Sequence, residues 1–269
     1  MKYRIGDMAE LLNISSDLIR YYEKCGAVRP GRTENNNYRV YTTIDFFTLE
    51  EILNYKQWDI GVREIGEMLE DDYSNKLVNC FSEYRRKLDH EMEYSVMKRR
   101  RADEKIWLEE NSRMNIGNFF VRKIPASYRY HFFNAKNDDY GVVFMADATR
   151  KMIFDGRNIV FTDPFIIFSE TKEGEDEWFF SIEKSYADEL HIPDSDDRIL
   201  IPENCCLCTV IDMGEIGEFS DACTDSVIEY AGEHGYQITG RIGGRLISRG
   251  KNQGCFHRLM EIEAPIQER

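Results

Sequence analysis

Arg20 and Tyr21, with Ser16 one helical turn before them, and Tyr38, Arg39 and Tyr41 a little further on are the side chains of this sequence best suited to gripping phosphate. Arginine gives charge-assisted hydrogen bonds to phosphate and tyrosine adds a hydroxyl on a stiff arm; such contacts position a protein on nucleic acid more than they read its bases. A second set, Phe144, Phe165, Phe168, Phe180, Tyr186 and Phe256 with Glu261, could take an aromatic small molecule out of water and supply a countercharge. The competing reading is that these rings are plain core. Cys205, Cys206 and Cys208 imitate a metal motif only superficially, because adjacent strand residues face opposite ways and no histidine follows at ligand spacing. The five histidines pair with no nucleophile and carboxylate, so neither a catalytic set nor a cofactor is expected and the chain is read as a non-enzyme.

The elements that must carry the first set read clearly. Residues 3–13 have helical apolar spacing, Asn13 and Ile14 break it, and Ser15 or Ser16 before Asp17 caps a second helix over 15–24. Two short helices across a tight turn form a helix-turn-helix unit. Gly26 closes the second helix, and a polar turn around residues 33–37 joins two short extended pieces into a wing ending on Tyr38, Arg39 and Tyr41. Residues 73–112 contain neither Pro nor Gly, and Leu77, Phe81, Tyr84, Leu88, Met92 and Val96 recur every three or four positions. That predicts one long amphipathic helix, too long to be buried by its own chain and best explained by pairing with a second copy. Beyond Gly117 the pattern changes to short strands: 119–124 and 127–133 around Pro125, 164–168, 178–182, 205–211, 242–248 and 256–265, with helices over 140–153 and 218–234. Two halves of similar strand and helix order predict a pseudosymmetric α+β domain.

The net charge of −14 opposes non-specific DNA affinity but hides a local surplus. Residues 1–42 carry seven Lys/Arg against five Asp/Glu, and 43–72 carry two against nine. Seven cysteines without a repeating framework fit a reducing compartment, and the absence of a long apolar run or leader predicts a cytoplasmic protein with no membrane contact.

The order Ile5-Gly6-Asp7-Met8-Ala9, Ser15-Ser16-Asp17-Leu18-Ile19-Arg20-Tyr21-Tyr22-Glu23, Gly26-Ala27-Val28-Arg29-Pro30 and Asn37-Tyr38-Arg39-Val40-Tyr41 resembles the DNA-binding domain of the MerR family of bacterial transcription regulators. The likeness implies DNA contacts from Ser16, Arg20 and Tyr21 on a recognition helix and from Tyr38, Arg39 and Tyr41 on the wing. It also implies a homodimer on an antiparallel coiled coil over 73–115, a near-palindromic promoter operator, and RNA polymerase engaged through distorted promoter DNA. Residues 118–269 resemble the gyrase-inhibitor-like effector domain of BmrR- and TipA-type regulators, through Ile124-Pro125-Ala126, Ile201-Pro202-Glu203, Glu233-His234-Gly235-Tyr236 and Met260-Glu261-Ile262-Glu263-Ala264-Pro265-Ile266. The implied organisation is a winged helix-turn-helix over 1–72, the dimerisation helix, and an effector domain. The implied function is a ligand-responsive regulator that activates or derepresses a promoter by distorting its spacer when a small aromatic effector binds. The alternative is a drug-sequestering module or hydrolase with DNA binding secondary. One departure stands out: Gly244 occupies the position where such relatives carry a buried acid. Glu261 and Glu263, on one face of the last strand, either replace that charge or stand in solvent, the solvated reading being preferred.

Overall fold

The structure is a computed structural model. It describes all residues except 1, 34–37, 71–72, 137, 141, 156–157, 172–173, 218–221, 253 and 269. The expected polar turn of the wing and the start of the helix expected over 218–234 therefore lie wholly or partly outside the described residues. Two compact units result, Met1–Tyr94 and Ser95–Arg269.

The first unit contains α1 (Ile5–Leu11), α2 (Ser16–Lys24), a hairpin of β1 (Gly31–Arg32) and β2 (Arg39–Val40), α3 (Thr43–Lys56), α4 (Val62–Glu70) and the start of α5 (Tyr73–Met114). Asn13, at φ 52°, turns the chain between α1 and α2, where the asparagine side chain tolerates the left-handed region. The Ser15 hydroxyl accepts the Leu18 amide at 3.1 Å and so caps α2, as its sequence requires. A reciprocal box between Thr42 and Asp45 starts α3. Met8, Ile19, Leu49, Ile52 and Ile65 are fully buried, and Leu77, Cys80 and Phe81 of α5 pack against the same core. At 42 residues, α5 covers the expected long helix.

The second unit is α+β, with a ten-stranded sheet in the order β3-β9-β12-β11-β6-β7-β4-β5, β8 pairing β4 and β10 pairing β12. Its strands are β3 (Phe119–Ile124), β4 (Ser127–Lys136), β5 (Asp139–Tyr140), β6 (Thr162–Ile167), β7 (Asp176–Glu183), β8 (Arg198–Ile201), β9 (Asn204–Asp212), β10 (Tyr236–Ile238), β11 (Gly243–Asn252) and β12 (Cys255–Glu268). The described part of α8 (Ala222–Glu233) puts Val227 and Ala231 on a core of Phe132, Ile166, Phe168, Trp178, Leu207, Met260, Ile262 and Ala264. Alternation along the strands sends Phe165, Ile167, Phe179, Glu261 and Glu263 to the other face.

The helix expected over 140–153 is corrected. In its place stand β5, an extended stretch, one α-turn (α6, Asp147–Arg150) and a π-turn (Lys151–Asp155). The β-branched pair Val142-Val143 resists helix, and the Phe144 amide instead donates to the Phe132 carbonyl at 2.7 Å, as a strand neighbour would. A short helix α7 (Lys184–Glu189), β8 and β10 are additions that apolar patterning did not flag. Among the described residues no helix is long and apolar enough to cross a membrane.

Candidate nucleic-acid interface and effector cavity

In the first unit the exposed face of α2 and the returning strand of the wing present Arg20, Tyr21, Tyr38 and Arg39 to solvent, with Ser16 half-buried at the helix start. Arg20 Nη1 lies 2.5 Å from Asp17 Oδ1, both side chains exposed, a pair that contributes little and releases readily. Arg39 is held more firmly, its Nε 2.6 Å from Glu23 Oε2, a carboxylate only 12% exposed. Tyr41 is corrected: it is fully buried, and its hydroxyl donates to the other oxygen of Glu23. Burial, then the Glu23 carboxylate, holds that hydroxyl's pKa far above its usual value. Glu23 thus ties α2 to the strand β2 and the residue after it, a role that becomes visible only once β2 lies beside α2. Arg63 is exposed on α4.

An expected result follows for Tyr41. Tyr41→Ala removes a fully buried ring and should cost about 3–5 kcal/mol, melting the first unit. Tyr41→Phe loses one hydrogen bond, about 1–3 kcal/mol, and should leave DNA affinity of the folded protein within about twofold. Circular dichroism with anisotropy on the same samples checks both; a large affinity loss in folded Tyr41→Phe would restore the tyrosine to the interface.

In the second unit a cavity of about 400 Å³ opens on the sheet face away from α8, lined by Phe165, Ile167, Phe179, Ile199 and Pro265 with Arg129, Glu263 and the Arg241–Glu177 pair at 2.5 Å. Of the ring and acid candidates, Phe165 lines this cavity. Phe168 lies in the α8-side core, and Phe180 is stacked there on Phe132 at 4.4 Å, because each sits one residue out of phase with the cavity side of its strand. Tyr186 is buried elsewhere, its hydroxyl donating to Glu104 at 2.6 Å. Phe144 is 75% exposed, and Phe256 is half-buried near the turn between β11 and β12. Glu261 is buried and bound by Arg122 at 2.6 Å. The preference for solvated glutamates is therefore also corrected: Glu261 and Glu263 are 3% and 4% exposed.

The two adjacent glycines of β11 divide the faces. A Cβ on Gly243 would meet Phe165 Cε1 at 2.4 Å and the Ile166 carbonyl oxygen at 2.7 Å, so this glycine lets the Phe165 ring lie against the strand. A Cβ on Gly244 would meet Met260 Sδ at 2.5 Å and Ile262 Cδ1 at 3.2 Å, inside the apolar core. An acid at 244 would thus point away from the cavity.

Buried charges dominate the cavity side. Asp163 is engaged by Arg101 at 2.7 Å and Lys105 at 2.5 Å, and against the cost of burial these cations hold its carboxyl below the usual range. Burial raises the pKa of Glu261 against the pull of Arg122 and Arg245. Burial also pushes the Cys206 thiol up to about 12, which fits a packed apolar side chain and not a thiolate. Cys206 and Cys208 share a small cluster with Ile124 and Phe120.

Residues 3–72 match the model of the MerR HTH family regulatory proteins. Over 106 residues the chain is 28% identical to the HTH-type transcriptional activator mta of Bacillus subtilis, covering 39% of this chain and 38% of that protein. It is 33% identical over 69 residues to the uncharacterised HTH-type transcriptional regulator YyaN of the same organism, covering 26% of this chain and 50% of that one. The chain thus spans half or less of the length of these two relatives. Among solved structures, the EcmrR–DNA complex is similar at 15% identity and a TM-score of 0.38, with 99% of this chain and all of that chain covered.

Proposed function

We propose, from the match of residues 3–72 to the model of the MerR HTH family regulatory proteins, that the protein is a homodimeric, ligand-responsive regulator of transcription. The observation that carries the proposal is the family match over the unit whose exposed surface presents Arg20, Tyr21, Tyr38 and Arg39. Pairing through α5 is supported by Leu88, Met92 and Val96, a stripe of apolar side chains 39%, 67% and 61% exposed in the single chain. Two copies related by a dyad would place two recognition helices on a near-palindromic operator. The effector is assigned to the cavity of the second unit, whose two halves are read as pseudosymmetric, with the boundaries 1–72, 73–115 and 118–269. Effector binding would favour the dimer state that bends and untwists the promoter spacer, so that RNA polymerase engages both elements through the DNA.

Fluorescence anisotropy on the promoter upstream of its own coding sequence tests this. Arg20→Ala and Arg39→Ala are each expected to weaken binding to all sequences alike. Each should also flatten the slope of log affinity against log salt by about two, one phosphate contact being lost per protomer. The absence of salt-sensitive, sequence-selective binding at micromolar protein would sink the proposal.

A further inference from the structure

On the cavity side of the second unit most charges among the described residues are held in direct ion pairs, and the Arg129 guanidinium is not. Arg101 and Lys105 are balanced by Asp163 and Glu104, with contacts of 2.7, 2.5 and 3.2 Å. Arg122 is balanced by Glu261 at 2.6 Å and Arg245 by Glu263 at 3.0 Å. The Arg241–Glu177 pair at the cavity wall is likewise neutral. Arg129 is left over. It is 8% exposed, and among the described residues its guanidinium makes no hydrogen bond or ion pair, with Nε buried and without an acceptor. The centre of the Phe165 ring lies 3.6 Å from its guanidinium carbon. Glu263 acts on Arg129 through space but is already engaged by Arg245, so two guanidinium groups share one carboxylate. Burial lowers the pKa of Arg129 to about 10, which still leaves it charged at neutral pH. A buried cation without a partner is strongly unfavourable unless something else supplies the anion.

We infer that this cavity takes an aromatic carboxylate: the Arg129 guanidinium receives the carboxylate, and the ring packs against Ile167, Phe179, Ile199 and Pro265. A planar carboxylate matches the donor fork of arginine, and the walls are otherwise apolar. An organic cation meets the opposite situation, since Arg129 repels it and Glu263 is held by Arg245. The inference rests on the reading of this cavity as the effector site.

The test uses the full-length protein and three probes with one ring system: 2-naphthoate, 2-naphthamide and 2-naphthylmethylammonium, titrated by calorimetry at neutral pH and checked by thermal shift. In the wild-type chain 2-naphthoate is expected to bind about tenfold or more tightly than the amide, with the ammonium weakest. Arg129→Met should bring naphthoate and amide within about twofold of each other; Arg129→Lys should keep part of the preference. The wild-type ordering needs no variant, so it stands even if Arg129→Met fails to fold. An amide or ammonium that equals or exceeds naphthoate, or a naphthoate preference that persists in folded Arg129→Met, overturns the carboxylate assignment and leaves the effector cavity standing. If none of the three probes binds at millimolar concentration, the effector-cavity reading falls, and this inference with it.

Discussion

Replacing Gly244 by glutamate is expected to lower the melting temperature of the second unit by on the order of 10 °C, or to prevent its folding, and not to create a site for a cation. The glycine sits on the α8 side of β11, where even a Cβ comes within 2.5 Å of Met260 Sδ and 3.2 Å of Ile262 Cδ1. Met260 and Ile262 are fully buried, so the carboxylate would have neither water nor a cation to meet. Overpacking alone costs about 1–3 kcal/mol, which Gly244→Ala should reveal, and an unpaired buried acid adds to it. Thermal denaturation of the two variants beside the wild type measures the difference. A Gly244→Glu protein that melts like the wild type and binds 2-naphthylmethylammonium would refute this placement of the two glycines.

Asp163→Ala should destabilise the same unit by about 3–5 kcal/mol, because it leaves Arg101 and Lys105 facing each other with their shared acid gone and Arg245 deprived of a second anion. The pH dependence has a definite sign. The folded-state pKa of Asp163 lies below its unfolded value of about 3.9, so its contribution is fully present above that value and fades as pH falls through the folded pKa. The stability gap between wild type and Asp163→Ala should therefore be level above about pH 5 and close below about pH 4. Denaturant melts across that range check it. A gap that widens on acidification, or one under about 1 kcal/mol at neutral pH, would show that Asp163 does not anchor the network.

For the first unit, most of the fold was legible in the chain itself. Its signals are local: a serine cap three residues before the amide it accepts, Asn13 and Gly26 in left-handed conformations at helix ends, and apolar spacing that repeats within each helix. Such features depend on neighbours a few residues away, so a linear reading captures them. Most strands of the second unit, though not β5, β8 or β10, were legible for the same reason, since alternation marks them wherever one face is buried. Tyr41 shows where this stops. Its aromatic, polar neighbourhood looks like an interface, and only the docking of β2 beside α2 turns the hydroxyl inward to Glu23, 18 residues away.

What the sequence determined by itself is the likeness of residues 3–72 to the MerR HTH regulators, the long helix, the α+β character of the second unit and the presence of rings and acids on its strands. Tertiary structure alone decided which of them meet. Alternation says that Phe165 and Phe168 face opposite ways but not which side holds the cavity; that depends on where α8 packs and on pairings such as Arg122 with Glu261, 139 residues apart. The same long-range register brings Arg129 over Phe165 and gives Glu263 to Arg245, so that among the described residues the Arg129 guanidinium has no hydrogen bond or ion pair. A linear sequence can count charges, but their balance within a cavity is fixed by distances that only the folded sheet creates.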